Sequence, residues 1–446
     1  MIALFLLSAA AAAPSRPQAL PAPAPIALAA ATETRLPTGL RVLVVENHAL
    51  PLIAVELLIG AGQNAEPPGK AGLARLTALL MLEGSDDADA AAAKTQAFAA
   101  LETTSFTADG PRESLSQILD WLGQGAAKVS TGGFERVRRQ VAAESAKAEP
   151  NRLRWLNALW GPDSQWAQAP GAELNAVTAR DVRTFQDTWY QPQNAVLSIA
   201  GDVSVAEVAE AVRTHFGRWV RGPRKPTRPS RFAKARSGTV TLVDWPKSTS
   251  GEIGVRGPAP SWNGPEMLPL MIANLILGGL NESRLNRDLR DERGYGQGIR
   301  SQMFGARQSV FWSSGEIAES DNLAAAAAAL RKELRRAAIV SPQEVAAAKR
   351  ALLRDAASRL QTNASAASSM ALLAFRGQPL TYFRTLSGEL TAVDSAQVSR
   401  AARRWLAPEQ LEILRGRTAR HGGACVEGAA SRTRSRGSGG LTQVPS

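Results

Sequence analysis

Two segments of this chain repeat each other at a constant offset of 216 positions, and this repeat limits the possible folds more than any other feature. ELNAVTARDV at 173–182 matches ELTAVDSAQV at 389–398, and a Trp-x-x-Pro follows each copy, at Trp189 and at Trp405. The two copies align without a gap. Agreement at this density predicts two homologous halves within one chain.

Each copy has the pattern of a capped helix followed by a strand. Thr178, with Asp181 three residues later, and Asp394 are polar residues of the kind that cap a helix N-terminus. Each amphipathic run ends at a Trp, and the proline that follows cannot continue the helix. The β-rich runs NAVLSIAGD and QLEILRG come next and predict a strand in each copy.

The repeat divides the chain into a first half at 35–217 and a second half at 238–416, joined by a basic, Pro-rich linker at 218–237. A chain of 446 residues exceeds what one core usually serves, which agrees with two domains. The linker holds eight Arg or Lys residues and no acidic residue, and a tail at 417–446 is rich in Arg and Gly. These segments account for the net charge of +12. A nucleic-acid partner is therefore not expected, because the folded body is close to neutral.

Both halves combine hairpin-joined strands with long helices, which predicts an α+β fold with mainly antiparallel sheets. The first half opens with RVLVVEN and PLIAVELLIGAG, followed by a helix at 70–83. The second opens with GTVTLVDW and SGEIGVRG, followed by a helix from about Pro265 to Leu277. Two further helices are predicted, one from Asp321 and one that starts at a capping box of Ser341 and Glu344.

The chain begins with MIALFLLSAAAAAPS, an apolar run that ends in alanines and offers several A-x-A sites. Residues 1–34 resemble a cleaved secretory signal peptide with a Pro/Ala-rich tether, which predicts a periplasmic or otherwise exported protein. A membrane anchor is the alternative, although the run is shorter than the ~20 residues needed to span a bilayer. The single cysteine, Cys425, excludes an internal disulfide and gives no information on the compartment.

One continuous stretch, LPTGLRVLVVENHALPLIAVELLIGAGQNAEPPGKAGLARLTALLMLEGS, resembles the N-terminal domain of the pitrilysin/insulinase family of zinc peptidases. The likeness continues through VTARDVRTFQDTWYQPQNAVLSIAGDVS and ILGGLNESRLNRDLRDERGYG to about Arg415. This family includes mitochondrial processing peptidase and the core subunits of the cytochrome bc1 complex. The resemblance implies two homologous halves arranged as a clam shell.

Catalysis in that family requires an inverted zinc motif, H-x-x-E-H, on the helix that follows Pro-Pro-Gly. Two histidines four residues apart share one helical face and bind Zn²⁺, and the glutamate polarises the metal-bound water. The matching positions here are Arg75, Ala78 and Leu79. A guanidinium, a methyl and an isobutyl group cannot hold or activate the metal, so the resemblance implies a member without zinc.

No histidine near this helix can replace the missing ligands. The chain has only His48, His215 and His421, and each is interpreted as a surface residue. The family's third ligand is a Glu on a later helix, which Glu144 matches loosely. Without the histidines, Glu144 is interpreted as a solvated helix residue and a remnant of the ligand set, since it would bind Zn²⁺ poorly alone.

In the second half, the family uses an Arg and a Tyr seven residues apart to hold the substrate. Arg290 matches the arginine and Arg293 belongs to the same stretch, but the tyrosine position is Gln297. Tyr295 is a possible substitute, since on a strand it would face the same side as position 297. The alternative is that Arg290 only pairs with Asp288 or Glu292 at the end of a surface helix.

Members of this family bind extended peptides by adding them to a sheet edge inside the chamber, and some work as two chains of which one lacks the motif. The predicted function is therefore a non-catalytic partner subunit of an exported heterodimeric zinc peptidase, which contacts extended or unfolded peptides. No cofactor is expected in this chain, and zinc is expected on the homologous partner. The alternatives are a structural scaffold like the bc1 core subunits, or a peptidase with unusual ligation.

Overall fold

A computed structural model describes residues 31–84, 92–145, 174–220, 235–244, 249–305, 310–417, 432–435 and 441–443. The predicted leader up to residue 30, the linker at 221–234 and most of the tail, with His421 and Cys425, lie outside the described residues. The domain boundaries drawn from the repeat therefore stay predictions. Within the described part of the chain, no helix is long and apolar enough to cross a membrane.

The first half contains a six-stranded sheet in the order β1-β2-β6-β3-β5-β4. Its strands are β1 (Thr32–Arg35), β2 (Arg41–Glu46), β3 (Leu52–Ile59), β4 (Lys94–Ala99), β5 (Thr104–Pro111) and β6 (Ala195–Gly201). Its helices are α1 (Leu73–Leu82), α2 (Leu115–Ala127), α3 (Phe134–Ser145), α4 (Ala179–Trp189) and α5 (Val205–Phe216). The two strands predicted at the start of this half and the helix after them are confirmed.

The second half contains a seven-stranded sheet in the order β13-β12-β7-β11-β8-β10-β9. Its strands are β7 (Val240–Asp244), β8 (Gly251–Pro258), β9 (Arg300–Phe304), β10 (Val310–Ile317), β11 (Glu412–Arg417), β12 (Arg432–Ser435) and β13 (Leu441–Gln443). Its helices are α6 (Met267–Asn274), α7 (Arg284–Asn286), α8 (Leu323–Arg336), α9 (Pro342–Ser358), α10 (Asn363–Arg376), α11 (Tyr382–Ala392) and α12 (Ser395–Trp405). Helix α6 continues as a π-helix to Gly279, and α7 continues as a π-helix to Glu292.

The sequence repeat is reproduced in three dimensions. Helices α4 and α12 begin and end at positions that differ by 216, and each starts with a capping box, from Thr178 to Asp181 and from Asp394 to Gln397. The strands that follow are β6 and β11, and each lies between a parallel and an antiparallel neighbour. The predicted α+β class is confirmed, with one parallel pair in the first sheet, β2 with β6, and two in the second, β7 with β11 and β7 with β12.

Helix α10 belongs to the second half of the chain but packs on the sheet of the first. Side chains on one face of β2, β3 and β6 join the core of the second half, and those on the other face pack against the helices of the first half. Polar contacts hold α10 in place: Arg41 Nη1 donates to Ala374 O at 2.6 Å, and Asn363 Nδ2 donates to Leu52 O at 3.0 Å. The two halves therefore share one continuous core.

A buried carboxylate lies in this shared core. Glu56 on β3 is 6 % exposed, and Ser368 on α10 donates a short hydrogen bond to it. Burial raises the pKa of Glu56, because desolvation penalises its charged form. Because the pKa of Glu56 is higher in the folded state than in the unfolded state, its neutral form stabilises the fold fully at a pH below the unfolded pKa. This contribution is lost as the pH rises through the folded pKa.

We therefore expect Glu56→Gln to stabilise the chain above about pH 5, by about 1–2 kcal/mol, and to give no gain below about pH 4. The neutral amide removes the cost of a buried charge and keeps hydrogen bonding to Ser368. Urea denaturation at pH 4 and pH 8 checks this, with Glu210→Gln on the exposed side of α5 as the matched control. Equal effects of Glu56→Gln at both pH values would contradict it.

Candidate functional site

Helix α1 carries Arg75, Ala78 and Leu79, the positions that the sequence resemblance matches to the zinc motif, and a buried carboxylate fixes its start. Gly72 has a φ of +93°, which ends the preceding loop and explains why the helix begins later than predicted. Glu66, which is 4 % exposed, accepts hydrogen bonds from the backbone N–H groups of Gly72 and Ala74, the latter at 2.8 Å. A carboxylate at a helix N-terminus is favourable for the helix dipole. The sequence analysis missed this role of Glu66, although an acid just before Pro-Pro-Gly was visible.

The three degenerate positions have different environments on α1. Ala78 is 1 % exposed and packs in the core of the first half with Leu73, Leu76 and Leu80. Leu79 is partly buried against the same core, and Arg75 projects from the helix with 35 % of its side chain exposed. The interpretation of the leucines as core residues is consistent with this packing.

Arg75 forms an ion pair with Glu144, the residue that matches the family's third ligand. Arg75 Nη2 lies 2.6 Å from Glu144 Oε2, and Arg75 Nε lies 2.9 Å from the same oxygen. Gln140 Nε2 donates to the other carboxylate oxygen at 3.2 Å. Glu144 is 40 % exposed, which is consistent with the solvated helix residue predicted from the sequence, and the pairing with Arg75 is the additional finding. Helix α3 brings it to α1, where its cationic partner is the guanidinium of Arg75.

The residues present do not fit a zinc ion. Glu144 is the one acidic side chain among the matched positions, and it already bonds a permanent cation that would repel Zn²⁺. Within the described residues, no group of three His, Cys, Asp or Glu side chains is arranged to hold a metal. We therefore derive no chemistry that depends on zinc in this chain.

Both described histidines lie elsewhere and have other partners. His48, in the turn between β2 and β3, has Nδ1 2.7 Å from Asp202 Oδ1, and its side chain is 61 % exposed. His215 on α5 is largely buried and contacts Asp120 and Ser116 on α2, at 3.2 Å and 3.0 Å. Neither belongs to the neighbourhood of Arg75 and Glu144.

A sheet edge lies next to α1. Strand β4 pairs with β5 on one side, and the structure describes no partner strand on its other side. Helix α1 packs against β4, and Phe98 on this strand is 62 % exposed. The outer edge of the last strand in a sheet presents backbone N–H and C=O groups that can pair with an added extended chain.

The two candidate substrate-binding arginines of the second half are Arg290, which lies in the π-helical segment after α7, and Arg293, which directly follows that segment. Arg290 Nε donates to Asp291 Oδ1 at 2.7 Å, and its Nη2 donates to Asn281 O at 3.0 Å. The Asp291 carboxylate raises the pKa of Arg290. Arg293 pairs with Asp288 at 2.5 Å. The ion-pair alternative for Arg290 named the wrong partners, because Asp288 is taken by Arg293.

Tyr295 and Gln297 lie in the loop before β9 and not on a strand, since β9 begins at Arg300. The argument that strand alternation places them on one side is therefore wrong. Tyr295 is partly buried and lies against Arg293, with the guanidinium carbon 5.9 Å from the ring centroid, and Gln297 is exposed. Asn286 fixes this loop by accepting from the N–H of Ile299 at 2.6 Å.

Comparison with known proteins gives consistent similarities. A family profile described as "Peptidase M16 inactive domain" matches residues 176–352. The chain is 27 % identical over 312 residues to an uncharacterized zinc protease of Mycobacterium leprae, covering 64 % of this chain and 67 % of that protein. It is 25 % identical over 276 residues to the mitochondrial-processing peptidase subunit beta of Bos taurus, covering 56 % of this chain and 54 % of that protein.

Solved structures share the fold. A peptidase M16 inactive domain from Pseudomonas fluorescens superposes with a TM-score of 0.77 at 18 % identity, covering 87 % of this chain and 98 % of that one. The first half of the periplasmic protease PqqL from Escherichia coli gives 0.67 at 15 % identity, covering 89 % and 94 %. The predicted clam-shell arrangement of two α+β halves is thereby confirmed. Residues 176–352 therefore resemble the peptidase M16 inactive domain in sequence, and the chain shares the fold of the peptidase M16 structures over most of its length.

Proposed function

We propose that this chain is a non-catalytic partner subunit of a heterodimeric zinc metalloendopeptidase of the pitrilysin/insulinase type. It contributes peptide binding and closes the chamber, while a homologous companion with an intact H-x-x-E-H motif holds zinc and cuts. The observation that supports the proposal is the ion pair of Arg75 and Glu144, because these residues match the first and third zinc ligands of the family and a guanidinium cannot activate water.

Two further observations support a role in peptide binding. Among the described strands β4 is the last of its sheet and packs against helix α1, so an extended peptide can add to the sheet beside the positions that the sequence resemblance matches to the zinc motif. The chain also corresponds to one half of PqqL, since the match covers 88 % of this chain and 48 % of the whole of that protein. The leader-like segment at 1–34 supports an exported location.

The test is to purify the tagged chain from its own cells and to assay what accompanies it. A companion with an intact H-x-x-E-H should co-purify, and the pair should cleave an unfolded peptide in a chelator-sensitive manner, while neither chain alone does so at a comparable rate. A companion that cleaves equally well without this chain would favour the scaffold alternative. Chelator-insensitive cleavage by this chain alone would favour a peptidase with unusual ligation.

For the assembled pair, we expect Arg290→Ala to reduce kcat/KM by about tenfold and to leave association unchanged. The guanidinium is held by Asp291 and Asn281 at the chain segment that resembles the family's substrate-holding stretch. Loss of one charge-assisted hydrogen bond to substrate is worth roughly 1.5–3 kcal/mol. Arg287→Ala, on the exposed side of the same segment, is the matched control and should leave the rate within twofold. Unchanged kinetics for Arg290→Ala would reduce Arg290 to a surface ion pair.

A further inference from the structure

A serine, a histidine and an aspartate form a hydrogen-bonded series on two helices of the first half. Ser116 Oγ lies 3.0 Å from His215 Nε2, and His215 Nδ1 lies 3.2 Å from Asp120 Oδ1. Ser116 and Asp120 belong to α2, and His215 belongs to α5. The proposed function uses none of these three residues.

The spacing of residues on α2 explains why the three side chains meet. Ser116, Asp120 and Gly123 follow one another at intervals of four and three residues, so they lie on one face of the helix. This face packs against α5, because a Cβ atom added to Gly123 would lie only 2.3 Å from His215 O. Glycine therefore permits the close approach that brings the imidazole of His215 within reach of both Ser116 and Asp120.

The chemistry of the three groups fixes the direction of both hydrogen bonds. A carboxylate can only accept hydrogen bonds, so His215 Nδ1 carries the proton that it donates to Asp120. The other nitrogen of a neutral imidazole is then an acceptor, so the Ser116 hydroxyl donates to Nε2. Gln124 Nε2 donates to the second oxygen of Asp120 at 2.6 Å and holds the carboxylate in this orientation. The histidine therefore presents a lone pair to the hydroxyl proton, as a general base must.

The hydroxyl is accessible, whereas the base is largely covered. Ser116 is exposed, but only 16 % of the His215 side chain and 43 % of the Asp120 side chain are exposed. Within the described part of the chain, the side chains of Ser116 and His215 have no other hydrogen-bond partner. The base is thus held in one orientation, while its serine stays open to a reactant from solvent.

The two helices favour the charges that form when this serine attacks a carbonyl. Ser116 is the second residue of α2, where the helix dipole favours a developing negative charge. His215 lies in the last turn of α5, where the dipole favours an imidazolium. Both effects lower the barrier for transfer of the serine proton to the imidazole.

We propose that Ser116, His215 and Asp120 form an acyl-transfer site that hydrolyses small esters. Ser116 Oγ bonds to the ester carbonyl carbon while its proton passes to His215 Nε2, and this proton then passes to the oxygen of the departing alcohol as the ester C–O bond breaks. Water attacks the acyl-serine with the same base, releases the carboxylic acid and restores the Ser116 hydroxyl. Asp120 orients the imidazole and stabilises its charged form throughout.

The open position of Ser116 limits the class of substrate. On an exposed helix surface, few protein groups contact the acyl chain or the leaving group. We therefore expect hydrolysis of esters with a small acyl group and a good leaving group, and no cleavage of peptide bonds, whose amine leaves poorly. This activity does not depend on a companion subunit.

The first experiment measures hydrolysis of p-nitrophenyl acetate by the purified full chain in the presence of a chelator. Ser116→Ala and His215→Gln should each lower the rate at least tenfold, because positioned acid–base catalysis typically contributes about 10²–10⁴-fold. Glutamine keeps hydrogen-bonding groups at position 215 but cannot take up the proton. The matched control is Ser358→Ala, at an exposed serine of α9, which should leave the rate unchanged.

The second experiment is labelling with a fluorophosphonate, which reacts with an activated serine and not with one that only links two helices. Mass spectrometry should locate one phosphonate on Ser116 of the native chain and none on Ser116 of His215→Gln. Asp120→Asn should slow both labelling and hydrolysis, because an amide can hold the imidazole in the wrong tautomer. Ser116→Ala changes an exposed position, so it carries the test if His215→Gln fails to fold.

Two results would overturn the proposal: a folded native chain that takes up no phosphonate on Ser116, or a rate of ester hydrolysis that Ser116→Ala leaves unchanged. Circular dichroism establishes the folded state of each variant. The cleavage assay of the assembled pair uses a peptide and a zinc-bearing companion, so failure of the ester test leaves that assay unaffected.

Discussion

The double substitution R75H/L79H should give this chain a zinc site with a Kd of roughly 1 μM or lower. Positions 75 and 79 are four residues apart on α1, so two imidazoles there share one helical face. Glu144 already lies where a third ligand is needed, and removal of the guanidinium leaves its carboxylate free to bind the metal. A histidine side chain is shorter than an arginine side chain. However, two metal bonds of about 2.1 Å each would link the imidazole through Zn²⁺ to Glu144, where the arginine uses a single hydrogen bond. The distance between α1 and α3 therefore suits both arrangements.

The expected gain is large, since a Kd of about 1 μM corresponds to roughly 8 kcal/mol of binding free energy. Zinc retained after gel filtration and competition with a chromogenic chelator measure it. The matched control is the triple variant R75H/L79H/E144Q, which should lose at least tenfold in affinity. If the double variant retains no zinc while it remains folded, α3 does not hold Glu144 at ligand distance. We leave Ala78 unchanged in this test, because a carboxylate at a position that is 1 % exposed would add a separate folding cost.

The second large effect is expected at Gly201, where the two halves meet. Gly201 ends β6 with a φ of +130°, and a Cβ atom there would lie 2.1 Å from Leu52 O and 2.9 Å from Asn363 Nδ2. The backbone conformation is strained for any other residue, and the neighbouring carbonyl cannot move without breaking the sheet. We expect Gly201→Ala to lower the free energy of unfolding by about 3 kcal/mol or more.

Urea denaturation followed by circular dichroism measures this change. Gly388→Ala is the control, because Gly388 lies within α11 and nothing lies within 4 Å of its added Cβ. This control should stabilise the chain by about 0.5–1 kcal/mol, since alanine favours a helix more than glycine does. Equal effects of the two substitutions would show that neither the contact with Leu52 nor that with Asn363 is tight.

Local sequence patterns predicted the elements that depend on local chemistry. The caps at Thr178, Asp394 and Ser341 were readable because a capping box is complete within four residues. The strands of β2 and β3 were readable from their apolar runs. They carry no clear alternation of polar and apolar residues, because one face packs on helices of the first half and the other on α10.

What the sequence could not predict depends on distances between elements that are far apart in the chain. The pairing of Glu144 with Arg75 was not predicted, because no pattern within α3 indicates how close Arg75 lies. Asp291 was missed as the partner of Arg290 because the segment is a π-helix, in which helical spacing rules do not apply. Arg376 and Trp262, whose side chains stack on each other, are separated by more than a hundred residues in the sequence. Only the packing of α10 against the loop before α6 brings them together.

The packing of α10 on the first sheet also has a consequence for synthesis of the chain. The first sheet is complete once the ribosome has passed Gly201, but the helix that covers its second face ends at Arg376. At ~5–20 residues per second, this apolar face stays uncovered for roughly ten to thirty seconds in every nascent chain. During that interval α10 does not cover Leu43, Val45 and Leu58, and transiently exposed apolar surface of this kind favours aggregation.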